Sequence, residues 1–164
     1  MTTRLDAEPP DPEAHLDFAD RQLNDPVVAP FHGGPRSRER VLSMLTAQAE
    51  QAREVGFTLW WWRERGSGEL VGYTGLNRDE VEGTPAVEIG WSITPSRWGE
   101  GFATEAATAS LAWGFERCGL DEVVAFALPD NARSRRVMEK LGMSYEREFE
   151  RAGLLHVLYR IRSG

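Results

Sequence analysis

Two glycines within seven residues mark the stretch of the chain best suited to holding a ligand. The stretch Trp98-Gly99-Glu100-Gly101-Phe102-Ala103-Thr104 follows a strand-like run and opens an alanine-rich helical run. Glycine lets backbone N–H groups approach a ligand without a Cβ in the way, and the first N–H groups of a helix are unpaired and partly positive. The pattern predicts a phosphate cradle, although an ordinary strand-to-helix turn has the same spacing.

A second polar motif, Asn131-x-x-Ser134, stands where another helical run begins. Met138 falls on the same predicted face, so we expect that face to turn towards a ligand. Asn131 would serve equally well as an N-cap, and Ser134 as an ordinary polar residue of a first helical turn. The run is rich in basic residues, which suits a phosphate-bearing ligand, although a solvated helix face has the same composition. These basic residues are Arg133, Arg135, Arg136 and Lys140.

Glu88 is the candidate for acid–base chemistry. Large apolar residues alternate with small or polar ones over residues 86–93, which places Glu88 on the face it shares with Gly90 and Ser92. A buried carboxylate there would have a raised pKa, in the range useful to a general base. It would equally serve as a structural group bonded to a neighbouring strand, and a bulge could turn it away from a cleft.

The elements that must position these residues change character near residue 57. Residues 1–14 are acidic and contain prolines, so they favour at most a short edge strand near residues 3–7. Apolar residues at helical spacing predict helices over residues 15–23 and 38–55, the second capped by Ser37 and ended by Gly56. Two helices are therefore expected before the sheet.

From residue 57 the pattern favours strands. Residues 57–63 and 70–76 predict a hairpin, and a strand over residues 86–93 follows a polar loop that contains Gly83 and Pro85. The helix over residues 102–115 and the apolar run 123–128 complete a crossover whose two strands should be parallel. A helix over residues 132–141 and strands over residues 143–151 and 154–161 follow.

Composition restricts the class of protein. The chain has 164 residues, of which 41% are hydrophobic, and it is expected to form a single domain. A formal net charge of −7 argues against nucleic-acid binding and suits cationic partners such as amines. The single cysteine and the three scattered histidines show no metal-ligand spacing. Because the sequence shows neither an apolar leader nor an apolar run long enough to span a membrane, we expect a cytoplasmic protein with no membrane partner.

Taken together, the two motifs resemble the acetyl-coenzyme A (acetyl-CoA) binding pattern of the GNAT N-acetyltransferase superfamily. The strand around Glu88 and the form of both motifs resemble the RimJ/RimL branch, which acetylates protein N-termini and includes small-molecule acetyltransferases. The resemblance covers residues 57–162 well and the first 56 residues only in the order of elements. It implies an α+β GNAT fold, with a central mixed, mostly antiparallel twisted sheet, splayed parallel strands and about four flanking helices.

The resemblance also implies roles for particular residues. In the family the coenzyme A diphosphate lies in the glycine turn, and the pantetheine arm pairs like an extra strand between the two splayed strands. The resemblance supports a glutamate at the position of Glu88 without fixing its role, so the base role rests on the strand pattern and the expected burial. Ser134 would be the acid, because Met138 replaces the tyrosine that often protonates the leaving thiolate and has no proton to give; a bound water is the alternative acid. Trp98 stands where a glutamine or arginine is usual. The implied cofactor-binding residues are Ile93, Trp98, Gly99, Glu100, Gly101, Phe102, Ala103, Thr104, Asn131, Arg133, Ser134 and Arg136.

The resulting functional hypothesis is an N-acetyltransferase that moves acetyl from acetyl-CoA to a primary amine by direct attack in a ternary complex. The acceptor is left open between a protein N-terminal amine and a small molecule such as an aminoglycoside, no metal is expected, and a homodimer is allowed. The alternative is a non-catalytic acyl-CoA-binding module or sensor on the same fold. A Rossmann oxidoreductase fits poorly, because Thr104 stands where its third glycine should be.

Overall fold

The computed structural model describes all 164 residues, which form one seven-stranded sheet with four α-helices. The strand order is β1-β2-β3-β4-β5-β7-β6, and every neighbouring pair is antiparallel except β4 and β5. The mixed, mostly antiparallel sheet is therefore confirmed. The elements are β1 (Leu5–Glu8), α1 (Pro12–Leu23), α2 (Arg38–Val55), β2 (Leu59–Glu64), β3 (Leu70–Val81), β4 (Thr84–Ile93), α3 (Phe102–Cys118), β5 (Glu122–Ala127), α4 (Ala132–Lys140), β6 (Ser144–Arg151) and β7 (Leu154–Arg162).

The parallel pair β4 and β5 opens the sheet. These strands are in register only where Glu88 faces Val124, whereas β3 and β4 pair from one end of β4 to the other. Beyond Glu88 the two strands diverge, so the second half of β4 has no strand partner on the β5 side. The predicted splay is confirmed, and it leaves a cleft between Ile93 and the end of β5.

The helices before the sheet begin and end where local capping groups stand. Ser37 Oγ accepts from the Arg40 N–H at 3.3 Å, and Gly56 takes a left-handed conformation, so α2 has the predicted bounds. Helix α1 begins three residues before the predicted start, because the Asp11 carboxylate accepts from the N–H groups of Glu13 and Ala14. The prolines of the N-terminal stretch therefore do not prevent a helix there, since proline fits the first helical turn.

The hairpin between β3 and β4 corrects the sequence prediction. The expected polar loop around Gly83 is a two-residue turn, in which Glu82 has φ 51° and Gly83 has φ 78°. Positive φ at both central residues matches the right-handed twist of the flanking strands, so the strands continue to Val81 and start again at Thr84. The longer β3 carries Asp79 into the sheet beside β4.

The two faces of the sheet pack against different helices. Trp61 and Tyr73 pack with Leu45 under α1 and α2, while Ile89 packs with Leu111 under α3 on the other face. The predicted alternation along β4 is confirmed, with Glu88 and Ser92 on one face and Ile89 and Ile93 on the other. The first face is the α1 side of the sheet and the second is the α3 side. Burial of these apolar faces is the main force that holds the helices on the sheet.

Candidate active site

A cavity of about 730 Å³ fills the gap between the splayed strands and runs from the start of α3 to Glu88. It brings both sequence motifs and the predicted base into one space, although they are spread over about fifty residues of chain. Of the predicted site residues, Glu88, Ile93, Trp98, Gly99, Gly101, Phe102, Ala103, Thr104, Asn131, Arg133, Ser134 and Arg136 line the cavity.

The glycine turn at one end of the cavity presents a row of unpaired donors. Gly101 is the N-cap of α3 with φ 83°, and no side chain caps this helix. None of the six backbone N–H groups of residues 99–104 donates to a protein acceptor. Gly99 also has φ 83°, and a Cβ there would meet no atom within 4 Å. Open space above unpaired, partly positive N–H groups is what a diphosphate requires, so the residues present fit coenzyme A.

Trp98 links this turn to the splayed strand. Its indole Nε1 donates to the carbonyl oxygen of Ile93 at 2.6 Å, which holds the turn against the end of β4. The guanidinium carbon of Arg133 lies 4.6 Å from the centre of the indole ring. The tryptophan therefore connects β4, the turn and α4 through one side chain, combining a hydrogen bond with a cation–π contact.

Glu100 is the one predicted cofactor-binding residue that does not line the cavity. Its carboxylate is paired with the Arg97 guanidinium at 2.9 Å. Arg97 also binds Glu64 at 3.0 Å, and the pairing with Glu100 holds the Glu100 pKa below its usual value. A carboxylate turned away from the cradle leaves the unpaired N–H groups free of a competing negative charge.

Only part of the predicted ligand-facing side of α4 lies on the cavity. Asn131 Oδ1 accepts from the Ser134 N–H at 3.2 Å, so the capping interpretation of Asn131 holds in this structure, while both residues still line the cavity. Met138 is 1% exposed and packs in the core with Ile89, so its expected place beside the ligand is wrong. The short helix must cover the sheet with its one large apolar side chain, and this decides which way Met138 turns.

The basic residues of α4 divide between the cavity and the sheet. Arg133, Arg136 and Lys140 line the cavity. Arg135 instead donates to the Tyr159 hydroxyl at 3.4 Å and the Pro129 carbonyl at 3.2 Å. The positive charge expected for a phosphate-bearing ligand is therefore carried by three of the four residues.

Glu88 lies at the closed end of the splay beside a second carboxylate. Asp79 is its diagonal neighbour on the same face of the sheet, since Asn77 is directly opposite Glu88. Arg151 binds Asp79 through two hydrogen bonds, at 3.0 and 3.1 Å. Burial, with the charge of Asp79 and a hydrogen bond to it, raises the pKa of Glu88 to about 8, against the opposing charge of Arg151. A carboxyl group with this pKa can accept and release a proton near neutral pH.

The two sequence motifs do not name several of the residues that line the cavity around Glu88. Burial is the main cause that lowers the pKa of His32 to about 4, with the charge of Arg36 contributing, and it also raises the pKa of Tyr73 to about 12. These residues lie in loops or in strands that the motifs do not mark, so no local pattern reveals them. The additional walls include Phe31, His32, Arg36, Tyr73, Asp79, Phe126, Arg151 and His156.

No helix has both the length and the apolar composition needed to cross a bilayer. No group of three or more His, Cys, Asp or Glu side chains is arranged to hold a metal ion.

Comparison with known proteins agrees with this geometry. Residues 4–144 match the Acetyltransferase (GNAT) domain family. The protein YkkB of Bacillus subtilis (strain 168) is 30% identical over 125 residues, which cover 76% of this chain and 73% of YkkB. The FsC-acetyl coenzyme A-N(2)-transacetylase of Aspergillus fumigatus is 29% identical over 157 residues, or 90% of this chain and 66% of that protein.

A solved structure of RimL, a ribosomal L7/L12 alpha-N-protein acetyltransferase, superposes with a TM-score of 0.81. It covers 99% of this chain and 92% of its own at 17% identity, which shows a likeness of fold. The domain match extends over most of the chain, and YkkB is similar over nearly three quarters of its own length. The chain therefore belongs to the GNAT acetyltransferase family and is an acetyltransferase.

Proposed function

We propose that this enzyme transfers acetyl from acetyl-CoA to a primary amine in a ternary complex, with Glu88 as the base and Ser134 as the acid. The observation that carries the proposal is one cavity that joins unpaired N–H groups, an unpaired strand edge and a carboxyl group with a pKa of about 8. Each feature alone has a structural explanation, but direct transfer requires all three in one space.

Residues at the cradle end would hold the coenzyme. Its diphosphate would accept from the N–H groups of residues 99–104, with Arg133, Arg136 and Lys140 supplying positive charge. The free edge of β4 offers backbone groups to the two amides of the pantetheine arm, as an added strand does. When bound, acetyl-CoA supplies an activated acetyl thioester.

Glu88 would accept the proton that the incoming ammonium group must lose before attack. The reference pKa of an α-amino group is about 8, so a carboxyl group with a similar pKa can exchange a proton with it at little cost. Glu88 faces the cavity and keeps some exposure to it, so either a direct contact or a single bridging water can carry the proton.

Ser134 would donate to the departing sulfur. Its side chain lines the cavity at the first turn of α4, and the start of a helix favours negative charge nearby. Ser134 is the hydroxyl that α4 contributes to the cavity, and the Met138 side chain, which has no proton to donate, is buried in the core.

The acceptor would enter from the side opposite the cradle, between the loop that carries Phe31 and the β6–β7 hairpin. Aromatic side chains and charges of both signs line that part of the cavity, which suits the backbone and amine of a peptide N-terminus. RimL is an alpha-N-protein acetyltransferase and the Aspergillus relative is an N(2)-transacetylase, so both acceptor classes belong in a test.

Turnover with an acceptor panel tests the reaction. Release of free coenzyme A thiol should be measured with peptides that have free N-termini, with aminoglycosides and with simple diamines. We expect thiol release that depends on the amine and a stoichiometric acetylated product. Absence of product with every amine, in protein that binds coenzyme A, would contradict the proposal and favour a non-catalytic binding module.

The variant Gly101→Glu tests the cradle. It places a negative charge where the diphosphate would lie, so acetyl-CoA should no longer raise the melting temperature. Gly68→Glu is the control, because Gly68 also has a positive φ but lies in the β2–β3 turn, where an added Cβ meets no atom within 4 Å. An acetyl-CoA response that persists in folded Gly101→Glu would remove the cradle from the mechanism.

A further inference from the structure

The segment before β1 contacts the glycine turn and the first turn of α3. Arg4 Nη2 donates to the backbone carbonyl oxygen of Glu100 at 3.0 Å. This is the carbonyl of the peptide unit whose N–H belongs to Gly101, in the middle of the cradle. Residues almost one hundred positions apart in the chain therefore meet at a single peptide group.

Arg4 is itself held in place by several contacts. Its Nε donates to Glu105 Oε2 at 2.7 Å, and its backbone N–H donates to Glu105 Oε1 at 2.9 Å. Thr2 Oγ1 donates to the same carboxylate at 2.5 Å. The guanidinium carbon also lies 4.4 Å from the centre of the Phe102 ring. Glu105 and Phe102 belong to the first turn of α3, so the Arg4 guanidinium has a fixed position relative to the cradle.

The geometry of a trans peptide gives this contact its consequence. Because the C=O and N–H of one planar unit point in opposite directions, holding the Glu100 carbonyl outwards turns the Gly101 N–H the other way. Gly101 lines the cavity and has φ 83°. Glycine tolerates φ of either sign, so without a restraint this peptide could rotate by half a turn and present a carbonyl oxygen to the phosphates.

We propose that Arg4 is a positioning residue that holds the Glu100–Gly101 peptide with its N–H directed into the diphosphate cradle. The inference rests on the proposed function, because it assumes that this turn binds the diphosphate. It goes beyond that function by assigning the affinity of the cradle to a side chain from the N-terminal segment, outside both sequence motifs.

The test compares three variants. Arg4→Met keeps a long apolar side chain over Phe102 but removes every side-chain donor, whereas Arg4→Lys retains one charged group that can donate. Arg65→Met is the matched control, since Arg65 donates to the Thr3 carbonyl oxygen at 3.4 Å and to Asp6 in β1 at 3.0 Å, and so holds the same end of the chain without contacting the cradle. Each protein is titrated with coenzyme A and with pantetheine, which lacks the diphosphate.

For Arg4→Met we expect the coenzyme A Kd to rise about tenfold, the usual loss for a hydrogen bond from a charged donor. Pantetheine affinity should be unchanged. Arg4→Lys should recover part of the loss, and Arg65→Met should lose none. In the ligand-free protein, the Gly101 amide NMR signal should move in Arg4→Met and stay in place in Arg65→Met.

An unchanged coenzyme A Kd in Arg4→Met would overturn the inference, and so would an equal loss of affinity for pantetheine. Failure of the underlying function has a different signature. If the wild-type protein binds coenzyme A no more tightly than pantetheine, the turn does not hold the diphosphate at all. If the wild-type protein binds coenzyme A much more tightly than pantetheine, and Arg4→Met has the same two affinities, only the role of Arg4 is refuted.

Discussion

The substitution Asp79→Asn should change the pH dependence of the enzyme in a defined direction. Asp79 is the carboxylate beside Glu88, and Arg151 is bound to it through two hydrogen bonds. Asparagine keeps the size of the side chain but removes its charge, and it leaves the positive charge of Arg151 uncompensated near Glu88. Both changes favour the ionised form of Glu88, so the pKa of Glu88 should fall.

The size of the effect follows from the charges. Two unit charges about 4 Å apart interact by about 4 kcal/mol at an effective dielectric constant of about 20, which is an upper bound of about three pKa units. Burial is the largest cause of the raised Glu88 pKa and remains in the variant. We therefore expect the pKa to fall by about one to two units from its wild-type value of about 8.

The assay is the pH profile of kcat/KM with one acceptor, measured for the wild type, Asp79→Asn and Glu88→Gln. Ionisation of the acceptor affects all three proteins alike, so differences between their acidic limbs belong to the enzyme. The limb should move to lower pH in Asp79→Asn and should lose the Glu88 ionisation in Glu88→Gln. Tyr73, His32, Arg36 and His156 also face this cavity and remain unchanged.

Arg151→Met is the control with the opposite sign. It removes the one positive charge that lowers the Glu88 pKa, so the acidic limb should move to higher pH. A limb that stays in place in both charge variants, while Glu88→Gln removes it, would refute our account of what sets this pKa. A limb that persists in Glu88→Gln would instead refute Glu88 as the base.

Three further changes test other parts of the site. The folded-state pKa of Glu88 is about 8 against 4.5 for an ordinary glutamate, so the free energy of unfolding of the wild type should fall between pH 4.5 and 8. Urea unfolding should show the stability of Glu88→Gln rising relative to the wild type across that range. A constant difference in unfolding free energy between the two proteins would contradict this. Ser134→Ala should lower kcat about ten- to a hundredfold with little change in coenzyme A Kd, and full activity would assign the acid role to water. Trp98→Phe removes the donor to Ile93, so the acetyl-CoA KM should rise several-fold; an unchanged KM would make that hydrogen bond dispensable.

Local sequence patterns were sufficient for most elements. The cap at Ser37, the glycine at position 56 and the alternation around Glu88 depend on neighbours within a few residues, so they can be read before the chain is folded. The β3–β4 turn was missed because Glu-Gly is not among the usual Asn-Gly or Asp-Gly signals of a two-residue hairpin. Without this turn, the sequence pattern places Asp79 in a loop and gives no sign that it lies beside β4.

A candidate phosphate site can be predicted from local sequence, because a helix start with glycine spacing carries its unpaired N–H groups wherever it is placed. The surroundings of Glu88 and of the cradle depend on the tertiary structure. Arg151 reaches Asp79 across 72 positions and Arg4 reaches Glu100 across 96, contacts that no short-range pattern encodes. Charge and hydrogen bonding act through space, so the proton affinity of Glu88 and the orientation of the Gly101 N–H depend on how the sheet brings distant segments together.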